Sequence, residues 1–85
     1  MTTKEYLFKN IDTLNIKECY KITKISNKYK NNKIKIKKHS REVKANSLFG
    51  LLSLAIMKND LIKITVYGEN SNIILDEIIE YFNSL

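Results

Sequence analysis

A serine at the start of a short apolar segment is the side chain whose position best suits chemistry. Ser47 follows Asn46 and precedes the apolar residues 48–55, and both Asn and Ser are favoured at helix N-termini. The first amides of a helix lack intrahelical partners and lie at the positive end of its dipole, where phosphate is stabilised. The segment therefore predicts either a capped core helix or a serine placed to receive phosphate, and both interpretations stay open at this point.

The apolar segment after Ser47 also predicts a docking surface. A helix of about two turns cannot bury every side, so we expect part of the set Leu48, Phe49, Leu51, Leu52 and Leu54 to face solvent. An exposed apolar patch is typical of a protein-binding surface.

Few other side chains suit chemistry. His39 is the only histidine and lies in a predicted hairpin turn, where an exposed turn residue is a better interpretation than a phosphoacceptor. Cys19 is the only cysteine and falls on a predicted apolar helix stripe, which favours packing over a reactive thiol. No metal-ligand cluster, glycine-rich phosphate loop or catalytic triad is visible, so we expect no enzymatic activity, no metal and no cofactor.

Length and charge restrict the class of protein. The chain has 85 residues and a net charge of +6, and we expect one domain over residues 1–85. Residues 1–44 carry 13 basic and 4 acidic side chains, whereas residues 45–85 carry 2 and 5. The basic half indicates an acidic partner, phosphate or nucleic acid, although a solvated lysine face is commoner.

The sequence also restricts the partners, the location and the oligomeric state that we expect. The pattern does not favour nucleic-acid binding, because no aromatic side chain interleaves the lysines of residues 33–37. No segment is long and apolar enough for a signal peptide or a membrane span, so we expect a cytoplasmic protein that does not bind membranes. Lysine-lined strands should repel a second copy, which favours a monomer.

Hydrophobic periodicity predicts seven elements in the order β-α-β-β-α-β-α. The predicted strands cover residues 4–9, 33–37, 41–45 and 61–67, and the predicted helices cover 16–29, 46–55 and 71–85. Each strand buries one face and each long helix has one apolar stripe. The simplest assembly is an α+β open-faced sandwich, with a four-stranded antiparallel sheet, helices on one face, and Lys35, Lys63 and Thr65 on the other.

The whole chain resembles the HPr family, the histidine-containing phosphocarriers of the sugar phosphotransferase system. The resemblance is strongest in residues 47–56, Ser-Leu-Phe-Gly-Leu-Leu-Ser-Leu-Ala-Ile, which resemble the family's regulatory-serine segment. Secondary matches are Asn27-Lys28-Tyr29, Lys58-Asn59-Asp60 and Gly68. The resemblance implies the HPr-like open-faced sandwich with three helices on one face.

The family's active centre, a Leu-His-Ala-Arg-Pro-like sequence, corresponds here to residues 14–18, Leu-Asn-Ile-Lys-Glu. The phosphoacceptor position is Asn15, whose amide nitrogen is delocalised and is not a nucleophile. Lys17 replaces an arginine and lacks its planar two-pronged donor, and Glu18 adds negative charge where phosphate would arrive. The resemblance therefore implies no catalytic residue and no competence for histidine phosphotransfer.

The resemblance further implies a regulatory protein, similar to the catabolite-repression paralogues that lack the histidine and keep the serine. In this interpretation an HPr kinase/phosphatase phosphorylates Ser47, and Asn15 and Lys17 lie near the phosphate because the two helix starts converge. Leu48, Phe49 and Leu52 then contact a transcription regulator or a phosphotransferase-system protein. Two alternatives stay open: a phosphocarrier in phosphoenolpyruvate-dependent sugar uptake, and a degenerate paralogue that binds partners without chemistry.

Overall fold

Four strands form one antiparallel sheet, and three helices pack on one of its faces. The computed structural model describes residues 1–85. The strands are β1 (Thr2–Leu7), β2 (Ile34–Lys38), β3 (Arg41–Lys44) and β4 (Leu61–Val66), and the helices are α1 (Ile16–Lys28), α2 (Leu48–Ser53) and α3 (Ser71–Asn83). The spatial strand order is β1-β4-β2-β3. The predicted α+β open-faced sandwich and its element order are confirmed.

The inner face of the sheet is apolar because strand side chains alternate between faces. Ile36 lies opposite Ile64 of β4 on one side and Val43 of β3 on the other. The buried inner-face residues of the two central strands are Ile34, Ile36, Ile62, Ile64 and Val66. A slip of one residue would move all of them to solvent, so burial fixes this register.

The long helices each bury one stripe against that face. The buried residues of α1 are Cys19, Ile22, Thr23, Ile25 and Ser26, and those of α3 are Ser71, Ile74, Leu75, Ile78 and Phe82. Phe82 stacks on Tyr6 with ring centroids 5.3 Å apart and meets Phe8 edge-on at 6.0 Å. The carboxylate of Glu77 joins the two helices, because it accepts from Lys28 Nζ at 2.5 Å and from the Tyr29 hydroxyl.

The outer face of the sheet carries Lys35, Lys63 and Thr65, as predicted. Thr65 is nevertheless buried, because Thr3 and Lys35 flank it in register and Thr3 Oγ1 lies 3.1 Å from Thr65 Oγ1. Glu42 lies 3.6 Å from Lys35 Nζ. This face is therefore polar, with both signs of charge.

Two loops run antiparallel beside each other and set the position of α1 relative to α2. The segment after β1 is bonded to the segment after α2 through Phe8 N–H to Asp60 O at 2.8 Å, Lys58 N–H to Asp12 O at 2.9 Å and Leu14 N–H to Ile56 O at 2.9 Å. Lys38 strengthens the junction, since its Nζ donates to Ala55 O and pairs with Asp60, both at 2.7 Å. The start of α1 is thus held beside the chain that leaves α2.

Candidate functional site

Ser47 is the N-cap residue of α2, as the sequence predicts. Its backbone is extended, and its Oγ accepts a hydrogen bond from Gly50 N–H at 3.0 Å. Ser47 O accepts from Leu51 N–H at 2.9 Å and closes the first turn. The residue is half-buried, so its hydroxyl is held in a fixed direction at the beginning of the helix.

Gly50 permits the close approach of α2 to β3. A Cβ at this position would lie 2.9 Å from Ser47 Oγ and 3.1 Å from Val43 Cβ. Both distances are shorter than an ordinary van der Waals contact, so an added Cβ would force Ser47 or Val43 to shift. The glycine therefore fixes how closely Ser47 and its helix pack on the sheet.

Asn15 is the N-cap residue of α1, of the two candidates Thr13 and Asn15 that the sequence offers before this helix. Its backbone N–H donates to Oε1 of Glu18 at 2.8 Å, which is one half of a capping box. Asn15 O accepts from Cys19 N–H at 2.9 Å. A carboxylate in the first turn also interacts favourably with the helix dipole, so Glu18 has a structural role in stabilising the start of α1.

The predicted convergence of the two helix starts stays a prediction. Leu14 N–H bonds to Ile56 O, beyond the end of α2, so Asn15 follows a residue held near the C-terminal end of α2, whereas Ser47 begins that helix. The antiparallel loop pairing sets this placement, and no local sequence pattern indicates it.

Lys17 is an exposed residue of α1. At about 3.6 residues per turn it shares a face with Lys21 and Lys28, which border a cleft with Glu77 and Glu80 of α3, although Lys17 itself does not line that cleft. The pairing of Lys17 with a phosphate on Ser47 stays a prediction.

Exposed apolar side chains lie on α1, on α2 and in the loop after α2, and α1 packs against α2. Phe49 is 82% exposed, whereas Leu48 and Leu52 are half-buried against the core. We define the patch as Ile16, Tyr20, Phe49, Leu52 and Met57, of which Ile16, Tyr20 and Met57 are 59%, 55% and 53% exposed. Ile16 and Tyr20 are four residues apart on the side of α1 away from α3.

Sequence reasoning identified Phe49 and Leu52 of the patch, and the neighbouring Leu48, but missed Ile16, Tyr20 and Met57. Ile16 and Tyr20 are apolar residues outside the buried stripe of α1. That position was the available sequence signal that they are exposed. Met57 enters the site because it pairs with Thr13 across the two loops, and that contact had no signal in the sequence.

The remaining candidates do not join this site. His39 lies at the tip of the β2–β3 hairpin in a left-handed conformation, with φ 55°, and borders a cleft with Asn59 and Asp60. Cys19 is completely buried, and burial, with a smaller contribution from the charge of Glu18, raises the pKa of its thiol to about 11. No group of three or more His, Cys, Asp or Glu side chains could hold a metal ion, and no helix is long and apolar enough to cross a membrane.

Solved structures with the same fold are HPr proteins and a related protein. An HPr from Bacillus anthracis superposes with a TM-score of 0.85 and 25% identity, covering 94% of each chain. The HPr-C-His protein of Thermoanaerobacter tengcongensis gives 0.89 and 19%, covering 99% of this chain and 93% of its own. The Bacillus subtilis catabolite repression protein Crh, solved as a domain-swapped dimer, gives 0.76 and 19%, covering 99% and 95%.

A match to a family model assigns the chain to a protein family. No curated protein sequence matches the chain. The family model for the PTS HPr component phosphorylation site, however, matches residues 2–84. The chain therefore belongs to the HPr family of the phosphotransferase system.

Proposed function

We propose that this protein is a regulatory member of its family, which receives phosphate on Ser47 and does not carry phosphate on a histidine. The phosphorylated protein then docks on a transcription regulator or a phosphotransferase-system protein in the cytoplasm, as a monomer. The observation that carries the proposal is the position of the Ser47 hydroxyl at the start of α2, the helix that presents the exposed apolar patch.

The surroundings of Ser47 suit a phosphoserine. A phosphoryl group would add about −1.5 to −2 charge next to the first amides of α2, where negative charge is stabilised. No acidic residue lies in the first turn of α2, so no carboxylate of that turn opposes the new charge. The phosphate would therefore strengthen an existing cap while changing the surface that a partner meets.

The exposed apolar patch suits a protein partner. Phe49 extends into solvent, the half-buried Leu52 lies one turn further along the same helix, and Ile16 and Tyr20 of α1 are also exposed. Aromatic side chains in the centre of such a patch contribute most of the binding energy in typical interfaces. Phe49 and Leu52 of the patch lie on the helix that Ser47 caps, so a partner that covers these two side chains also meets the phosphorylated residue.

The start of α1 does not suit phosphohistidine chemistry. The nitrogen of the Asn15 side chain is an amide, without the basic lone pair that attacks phosphorus. The carboxylate of Glu18 accepts the backbone N–H of Asn15 and would repel an incoming phosphoryl group. Both residues argue against the alternative of a phosphocarrier.

The test is phosphorylation by an HPr kinase with ATP, followed by mass spectrometry of the intact protein and its peptides. We expect one phosphoryl group, located on Ser47, and none in the Ser47→Ala variant. Ser53→Ala is the matched control, because Ser53 lies on the same helix and its Oγ bonds to Gly50 O. Absence of phosphate on Ser47 in the native chain would overturn the regulatory proposal.

A second arm uses phosphoenolpyruvate and the first enzyme of the phosphotransferase system in place of the kinase. We expect no acid-labile phosphate on this protein, and its appearance would favour the phosphocarrier alternative. For docking, Phe49→Ser should weaken binding of the phosphorylated protein to its regulator. Ile73→Ser, a change at an exposed position of α3, should leave binding unchanged.

A further inference from the structure

A polar cleft lies between the end of α1 and the start of β2. Its volume is about 300 Å³. Ser26 and Ile34, both buried, lie at its base, and Lys30, Lys33 and Lys44 line it. This cleft borders Asn46 but includes none of the residues of the exposed apolar patch.

All the charged side chains that line this cleft are positive. No acidic residue lines it, and Lys30, Lys33 and Lys44 have no carboxylate oxygen within 4.0 Å. The two other sizeable clefts differ, because Glu5 and Asp60 line one of them and Glu77 and Glu80 line the other.

The clustering of these lysines does not stabilise the folded chain. Lys44 lies directly opposite Lys35 in the β2–β3 register, and like charges opposite each other destabilise a sheet. The C-terminus of α1 contributes about −0.5 elementary charge, which is small against three lysine charges. The cleft therefore keeps a positive potential that a bound anion would neutralise.

Side-chain amides add neutral donors to the lysines. Asn27, Asn31 and Asn46 line the cleft and can donate to phosphate oxygens or to hydroxyl groups. Asn32 instead fixes the wall, because its Nδ2 donates to Tyr67 O and Glu69 O, both at 2.8 Å. Lysine ammonium groups bind phosphate as point charges, and amide donors beside them can add hydrogen bonds to the same ligand.

We propose that this cleft binds a small phosphorylated metabolite. A nucleic-acid strand fits less well, because the only aromatic residue lining the cleft is Tyr29, which is half-buried with its hydroxyl bonded to Glu77. Stacking platforms for bases need exposed aromatic rings. The proposal does not depend on phosphorylation of Ser47, so either one can fail without the other.

The test is titration of the ¹⁵N-labelled protein with inorganic pyrophosphate at constant ionic strength, followed by amide chemical shifts. We expect saturable shifts confined to residues 26–34 and 44–46. The Lys33→Gln/Lys44→Gln double variant should bind pyrophosphate about tenfold more weakly, because two charge-assisted contacts are lost. Both lysines are exposed, so circular dichroism should show an unchanged fold.

The matched control is Lys4→Gln/Lys9→Gln, which removes the same charge from exposed positions in and after β1. This control should bind pyrophosphate within about twofold of the native chain, since distant surface charges are screened. Equal loss in both double variants, or shifts scattered over all lysine-rich surfaces, would show non-specific attraction and overturn the proposal. Tighter binding of a single-stranded oligonucleotide than of pyrophosphate at this cleft would also overturn it.

Discussion

The backbone N–H of Asn15 donates a hydrogen bond to Oε1 of Glu18 at 2.8 Å. The carboxylate thus occupies a donor at the start of α1 that an incoming phosphoryl group would otherwise find free. Residue 15 lacks a nucleophile, and residue 18 opposes the charge of the group to be transferred. Two separate physical obstacles therefore stand at this helix start, and they can be removed one at a time.

We predict that Asn15→His/Glu18→Ala accepts phosphate from phosphoenolpyruvate through the first enzyme of the phosphotransferase system. Asn15→His alone should accept it at least about tenfold more slowly, because a nearby like charge opposes phosphoryl arrival. The rate is measured as acid-labile phosphate on the protein. Glu18→Ala alone is the control and should accept none, and equal rates in the single and double histidine variants would contradict the role given to Glu18.

Gly50→Ala should destabilise the protein by about 1 kcal/mol, although alanine is the better helix former by a similar amount. The added Cβ would meet Ser47 Oγ at 2.9 Å and Val43 Cβ at 3.1 Å. Urea unfolding of the single variants and of Ser47→Gly/Gly50→Ala measures the effect. Glycine is still an acceptable N-cap, so the double variant should recover part of the loss, and strict additivity would disprove the clash with Ser47.

Asp60 should contribute stability that is lost in acid. The Lys38 Nζ and Met57 N–H hydrogen bonds, each 2.7 Å long, hold the pKa of Asp60 below its usual value. A lowered pKa stabilises the fold above the unfolded-state value of about 3.9, and this contribution disappears as pH falls through the folded-state value. Asp60→Asn should therefore cost about 1 kcal/mol at pH 7, allowing for solvent screening.

The same variant should approach the stability of the native chain as pH falls through the lowered pKa of Asp60, because Asp60 is then protonated in both states. The measurement is the urea midpoint at a series of pH values. Asp76→Asn, at an exposed position of α3 without an ion pair, provides the comparison. A difference between Asp60→Asn and the native chain that is constant from pH 7 to acid would rule out this linkage.

Cys19 should not react with thiol reagents while the protein is folded. The side chain is fully buried, and burial, together with the charge of Glu18, raises its pKa to about 11. At pH 8 only about one thiol in a thousand is then ionised, and the thiolate is the reactive form. Labelling followed by mass spectrometry should require urea, whereas a cysteine placed by Ser84→Cys at an exposed position should react at once.

The fold was predictable because local patterns and global packing agree along this chain. Alternation in residues 33–37 and 61–67 predicted the two central strands, and their isoleucines are the centre of the core. Ser47 and Asn15 were predictable as helix starts, because capping depends on residue types within one turn. Strand and helix ends moved by one or two residues, since fraying and pairing decide them.

The arrangement of the candidate sites was not predictable in the same way. The position of Asn15 relative to Ser47 depends on the hydrogen bond between Leu14 and Ile56, two residues with no complementary chemistry in their side chains. The lysine cleft brings together Lys30, Lys33 and Lys44 from two separate segments. Such contacts follow from chain topology, which alternation and capping signals do not encode.

The shortness of α2 has a consequence for recognition. A standard interface covers about 800 Å² of each partner, roughly a seventh of the 5265 Å² that this protein exposes. A footprint of that size extends well beyond α2, whose six residues lie between Ser47 and the segment that bonds to Leu14. A single partner can therefore sense the chemical state of both helix starts in one encounter.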